Sequence, residues 1–225
     1  MPRIARVAVG NMLYHVINRA NGRAQIFYTD NDYQHFESIL ADGKEMINMR
    51  IVAYCIMPNH WHLVLYPKND TDMGEYMRWI TTTHVRQRRA QTKSIGQGHL
   101  YQGTYKSFPV ETNEYAQQLI RYVEQNPLRA QLVTRAEDWR WSSLWRREKG
   151  GDEEKKLLSP LPIELPADYL EFVNMLSQNK TLDLIRTSVN KGTPFGSEHW
   201  MNIMVQKFGL ESTLRKQGRP KKVVL

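Results

Sequence analysis

The chain has 225 residues, 41% apolar and 10% aromatic, enough to bury the core of one large domain or of a main domain plus a smaller one, which excludes a chain disordered by composition. A formal net charge of +8 and a pI near 9.5 lean towards a polyanionic partner, although a basic soluble protein has the same balance. The single cysteine, Cys55, excludes an intrachain disulfide, and no apolar run is long enough to span a bilayer, so no membrane association is expected.

The N-terminus, Met1-Pro2-Arg3-Ile4-Ala5-Arg6, has no signal-peptide apolar region after its arginines, and a cytoplasmic location is expected. Residues 14–19 read as a strand, followed by the turn Asn21-Gly22. Thr29 to Asp32 supplies capping residues for a helix with apolar positions Tyr33, Phe36, Ile39 and Leu40. A strand over 48–57 turns at Pro58-Asn59 and returns over 60–66 as a hairpin. On the returning strand His60 and His62 are two apart and share a face, while Trp61, Leu63 and Leu65 face a core. Asp72 with Glu75 is expected to open a second helix whose buried stripe is Met73, Tyr76, Met77 and Ile80. His84 continues that stripe and reads as a core histidine. The helix ends in the basic run Arg86, Arg88, Arg89 and Lys93.

Residues 101–110 read as a further strand. Thr112-Asn113 caps a third helix, expected to run to Asn126 and stop at Pro127. The order strand, helix, strand, strand, helix, strand, helix implies an α+β, ferredoxin-like sandwich. The expected organisation is a catalytic domain over 1–148, a solvated linker over 149–164, a helical C-terminal region over 165–212 and a basic tail over 213–225. Three short helices near a basic tail suit either a helix-turn-helix-like DNA module or an appendage packed on the main domain. Within the tail, Gly218-Arg219-Pro220 with flanking basics resembles an AT-hook, a segment that places an arginine in the minor groove.

The third helix carries the second half of a chemical constellation. Tyr122 and Asn126 are four apart on one face. An amide oxygen can join two imidazoles around a hard divalent ion and leave positions open for substrate oxygens. A phenol ionises near pH 10, so a tyrosine used as a nucleophile gains from a cation beside it. Each half also has a plain structural reading. His-x-His arises on strands by chance, Asn before Pro is a common helix end, and Tyr122 fits a packed aromatic. The chain has no Gly-rich phosphate loop, Cys-x-x-Cys pair or Gly-x-Ser-x-Gly elbow.

Taken together, residues 57–64 (Met-Pro-Asn-His-Trp-His-Leu-Val) and 121–130 (Arg-Tyr-Val-Glu-Gln-Asn-Pro-Leu-Arg-Ala) resemble the single-tyrosine HUH transposases. The branch associated with repetitive extragenic palindromes (REP) is the more similar, over about Tyr14 to Ser143; the C-terminal part matches more loosely. The resemblance implies metal ligation by His60, His62 and Asn126, with Mg²⁺ or Mn²⁺ as cofactor and Tyr122 as nucleophile. Tyr115 is a decoy, because Leu119 four residues on cannot bind metal. The implied activity is cleavage and rejoining of single-stranded or hairpin DNA at palindromic repeats through a 5′-phosphotyrosine, by a monomer or a homodimer. Candidate DNA contacts are Arg19, Arg23, Arg86, Arg88, Arg89, Lys106 and Arg219, with Tyr101 and Tyr105 as stacking platforms. A regulator that binds such DNA without cutting it, and a hydrolase acting through metal-activated water, are the competing readings; the second lacks an evident carboxylate base.

Overall fold

The computed structural model describes residues 6–94, 96, 98–175 and 179–215. Four strands, β1 (Leu13–Arg19), β2 (Ile51–Met57), β3 (His60–Leu65) and β4 (Lys106–Val110), form one antiparallel sheet. Their order, β2-β3-β1-β4, is that of a ferredoxin-like βαββαβ unit, as the sequence pattern implies.

Local chemistry sets the element ends. Helix α1 (Asp30–Ile47) opens on a reciprocal box: Thr29 Oγ1 accepts from the Asp32 amide, and the Asp32 carboxylate accepts from the Thr29 amide. Asn48 closes α1 in the left-handed region at φ 53°, so the strand expected from 48 begins only at Ile51. Asp72 opens α2 (Asp72–Gln91), as expected. It is the first helical residue, and its carboxylate accepts from the Lys68 and Asn69 amides of the preceding loop. The strand expected over 101–110 is also shorter. Tyr101 makes only an isolated bridge to Ala20. Its hydroxyl accepts from Trp61 Nε1 at 2.9 Å and lies 2.6 Å from His84 Nδ1, which holds this stretch in the core until the chain joins the sheet at Lys106.

The sheet has two buried faces. Tyr14, Val16, Tyr54, Ile56, Trp61, Leu63 and Leu65 pack against α1 and α2 on one side. The two helices approach closely at Gly43, where a Cβ would lie 2.6 Å from Trp79 Cδ1. Leu13, Val52, Cys55, Val64 and Phe108 pack on the other side against Leu119, Ile120 and Val123 of α3 (Glu114–Glu124). Asn113 caps α3 by accepting from the Tyr115 amide. Pro127 does not end the helical path as expected. It sits in the first turn of α4 (Asn126–Arg129), where its missing N–H costs nothing, and the chain bends between Glu124 and Asn126 instead.

The C-terminal segments cover both sheet edges. Along β2, Ile56 N donates to the Trp141 carbonyl, Ser143 Oγ bonds the Tyr54 backbone, and Ser159 N donates to the Ile51 carbonyl. Along β4, Phe195 N donates to the Pro109 carbonyl and Glu111 N to that of Phe195. Pro109 is tolerated because β4 is an edge strand of the sheet. After α5 (Ser143–Glu148), the stretch expected as a solvated linker carries α6 (Asp152–Lys155) and places Leu157 in the α1/α2 core. Helices α7 (Tyr169–Asn174), α8 (Asn179–Lys191) and α9 (Glu198–Phe208) follow, and Tyr169, Val173, Leu182 and Ile185 join the core on the α3 side. The Glu124 carboxylate, fully buried in α3, ties α3 to these later segments: it accepts from Ser143 Oγ at 2.5 Å, Tyr169 Oη at 2.7 Å and Arg147. Among the described residues no helix is long and apolar enough to cross a membrane. The Gly218-Arg219-Pro220 tail lies outside the described residues.

Candidate active site

A cleft of about 490 Å³ opens on the α3 side of the sheet. His60, His62, Tyr122 and Asn126 all line it, with Asn18, Arg19, Gln102, Thr104, Lys106, Arg186 and Asn190 among its other walls. Strand alternation places the two imidazoles on this face, with ring centroids 5.0 Å apart and planes at 74°. Helix α3 presents Tyr122 to the same cleft. Its ring meets the His62 ring edge-on at 5.9 Å.

Each imidazole is anchored through Nδ1. His60 Nδ1 is 2.6 Å from Asn59 Oδ1, so it carries the proton, and Nε2 is left with a lone pair. His62 Nδ1 is 2.8 Å from Nε2 of His15, a fully buried residue of β1. Burial, aided by the Arg19 charge, pushes the His60 pKa down to about 3. Burial also holds His62 well below the usual histidine range, reinforced by His60, His15 and the cations Arg129 and Arg19. Both rings are therefore neutral at physiological pH, the form that ligates metal.

Two adjacent amides face opposite ways at the bend. Gln125 Nε2 donates to the Val173 and Met175 carbonyls at 2.7 and 2.6 Å, away from the cleft. Asn126 Nδ2 donates to the Tyr122 and Val123 carbonyls at 3.0 and 3.1 Å, which orients the carboxamide. Asn126 Oδ1 accepts from Arg129 Nη2 at 2.7 Å and keeps a second lone pair. The same guanidinium lies 4.2 Å from the Tyr122 ring centroid and donates to the Tyr122 carbonyl at 3.2 Å. Among the described residues no cluster of three or more His, Cys, Asp or Glu side chains suits a metal ion. The donor set of two deprotonated ring nitrogens and one oriented amide oxygen fits a divalent ion with open positions.

The cleft is also cationic. Among the described residues neither Arg19 nor Arg129 has a carboxylate partner. Arg19 Nε is buried without a hydrogen-bond partner. Burial lowers the pKa of both, and an electrostatic coupling to Tyr122 partly offsets it. Such uncompensated guanidinium groups favour an anion in the cleft.

Of the sequence-predicted DNA contacts, Arg19 and Lys106 line the cleft and the others do not. Arg88 is occupied by Asp32 at 2.6 Å, and Arg89 donates to the Ser94 and Gly98 carbonyls. Arg23 and Arg86 are exposed elsewhere, and Arg219 lies outside the described residues. Tyr101 is buried, which removes it as a stacking platform, whereas Tyr105 is half-buried under Arg6. Sequence reasoning missed His15, Arg129, Arg186 and Asn190. Arg129 stands within the 121–130 motif without a role of its own, and Arg186 and Asn190 show only as polar residues one turn apart on an amphipathic helix.

Residues 8–126, just over half of the chain, match the protein family described as "Transposase IS200 like". Among solved structures, a REP-associated tyrosine transposase bound to a REP hairpin aligns with a TM-score of 0.55 at 19% identity, covering 74% of this chain and 93% of the other. A Deinococcus radiodurans protein assigned to the transposases aligns with a TM-score of 0.40 at 22% identity, covering 55% of this chain and 96% of the other. No curated protein matches the sequence. The first structural likeness supports the four-stranded fold with its added helices, and the family match spans both the His60/His62 strand and the helix of Tyr122, ending on Asn126: the chain belongs to the IS200-like transposase family.

Proposed function

We propose that the protein is a metal-dependent single-stranded DNA endonuclease and strand transferase that acts at palindromic, REP-like hairpins with Tyr122 as nucleophile. The observation that carries this reading is the convergence of Tyr122, His60, His62 and Asn126 on one cleft whose Arg19 has no carboxylate partner among the described residues. The solved relative bound to a REP hairpin motivates the choice of DNA.

The chemistry follows from the side chains. The Tyr122 oxygen bonds to phosphorus and gives up its proton to solvent. The bond from phosphorus to the 3′ oxygen breaks, that oxygen takes a proton, and the products are a 5′-phosphotyrosine and a free 3′-OH. Attack by a 3′-OH on the phosphotyrosine reverses the step and rejoins DNA. Bound Mg²⁺ or Mn²⁺ would withdraw charge from the non-bridging phosphate oxygens. Arg129 fixes the Tyr122 ring and the Asn126 amide relative to one another, while Arg19 and Lys106 attract the backbone.

The test is incubation of the full chain with single-stranded palindromic repeats and Mn²⁺, resolving covalent adducts on denaturing gels. Tyr122→Phe is expected to abolish the adduct and to leave hairpin binding intact. Undiminished adduct in that variant would refute the assignment of the nucleophile. Hairpin binding with no adduct from the unmodified protein would instead identify a regulator.

A further inference from the structure

His15 lies in the middle of β1, paired in register with Val64 on one side and Phe108 on the other. It is fully buried and packs between the rings of Phe108, His62 and Tyr122, at centroid distances of 5.0, 5.1 and 6.4 Å. Its Nε2 is 2.8 Å from His62 Nδ1, and its own Nδ1 has no partner among the described residues. A histidine in the core with one nitrogen unpaired needs an account, because buried polar atoms are seldom left so.

The 2.8 Å contact holds one proton, and neutral imidazoles allow two arrangements. If His15 Nε2–H donates, His62 must carry its proton on Nε2, and that nitrogen cannot bind a cation. If His62 Nδ1–H donates, His62 Nε2 presents a lone pair, and His15 carries its proton on the unpaired Nδ1. Only the second arrangement makes His62 a ligand. His60 reaches the equivalent state without a choice, because Asn59 Oδ1 can only accept.

We infer that His15 is a positioning residue for the cation site: it accepts the Nδ1 proton of His62, and so fixes that ring's orientation and keeps its Nε2 free to bind a divalent ion. The inference rests on the reading of His60 and His62 as ligands. An imidazole here fills the role usually taken by a carboxylate or carbonyl behind a metal-binding histidine. The unpaired His15 Nδ1 is the structural cost of that choice, since the Nδ1–H it must carry has no acceptor.

Two measurements on the full chain test it. Mn²⁺ affinity is read by electron paramagnetic resonance for the unmodified protein, His15→Phe, His15→Gln and a His60→Ala control. His15→Phe keeps an aromatic ring beside Phe108 but offers no acceptor; it is expected to weaken Mn²⁺ binding about 10- to 100-fold. His15→Gln, whose Oε1 can accept from His62 Nδ1, is expected to recover most of that loss. Separately, two-bond nitrogen–proton NMR of the Mg²⁺-loaded unmodified protein is expected to show the His62 proton on Nδ1. A His62 proton on Nε2 in that state overturns the inference even where the variants fail to fold. So does a folded His15→Phe that binds Mn²⁺ like the unmodified protein while His60→Ala does not. Mn²⁺ binding unaffected by His60→Ala would overturn the ligand reading itself, and the role of His15 with it.

Discussion

Arg129 offers the sharpest test of how the cleft is held together. One guanidinium makes a 2.7 Å bond to Asn126 Oδ1, donates to the Tyr122 carbonyl at 3.2 Å and covers the Tyr122 ring at 4.2 Å. A charged hydrogen bond to a neutral acceptor contributes about 1.5–3 kcal/mol, and a partly desolvated cation–π contact about 1–2 kcal/mol. The half-buried guanidinium has no carboxylate partner among the described residues, so the desolvation cost of the charge offsets part of this sum. A net loss of about 2 kcal/mol from positioning corresponds to about a 30-fold slower step. Arg129→Met retains much of the volume and removes the fork. Arg129→Lys retains the charge, but its point-like ammonium cannot bond Asn126 and lie flat on the Tyr122 ring together. Both variants are therefore expected to form the covalent adduct about 30-fold more slowly under single-turnover conditions, with hairpin affinity nearly unchanged. Arg129→Lys at the unmodified rate would show that charge alone suffices and would sink the argument from geometry. Equal losses of rate and of hairpin affinity would show that Arg129 binds DNA rather than orders the site.

Two further expectations follow from other groups. Arg19→Gln removes a cleft cation that has no carboxylate partner among the described residues, so single-strand affinity should fall and the slope of log K against log salt should flatten by about 0.7, measured by fluorescence anisotropy; an unchanged slope would place the DNA backbone elsewhere. His84, buried against Phe27 and Tyr101, has its pKa pushed down to about 3 by burial first and by Arg88 next. The unfolded imidazole binds a proton near pH 6.5 and the folded one does not, so stability is lost as pH falls below about 6.5 towards 3, by about 1.4 kcal/mol per pH unit for this group. His84→Gln should flatten the acid limb of urea-unfolding free energy between pH 6 and 4.5, and an equally steep limb would refute the assignment.

What could be read from the chain and what could not divide along one physical line. Periodicities are local, so the alternation that pairs His60 with His62 and the helical step that pairs Tyr122 with Asn126 both survive into the cleft. The capping chemistry of Thr29 and Asp32 is local as well. The misreadings come where a distant partner outbids a local preference. Tyr101 has strand propensity, but its hydroxyl is claimed by Trp61 and His84, so the strand starts five residues later. Arg88 reads as a free cation until Asp32, 56 residues away, is folded beside it. Pro127 reads as a stop because proline breaks helix interiors, yet a bend just before it turns the same residue into a helix start. His15 is the extreme case. Its contact with His62 spans 47 residues and depends on β1 lying between β3 and β4, an order that hydrophobic pattern does not encode. The elements that carry the proposed chemistry are thus legible one strand or helix at a time. The residues that would hold those elements in working geometry, His15 under His62 and Arg129 across Tyr122 and Asn126, become visible only when the sheet order and the α3–α4 bend are known.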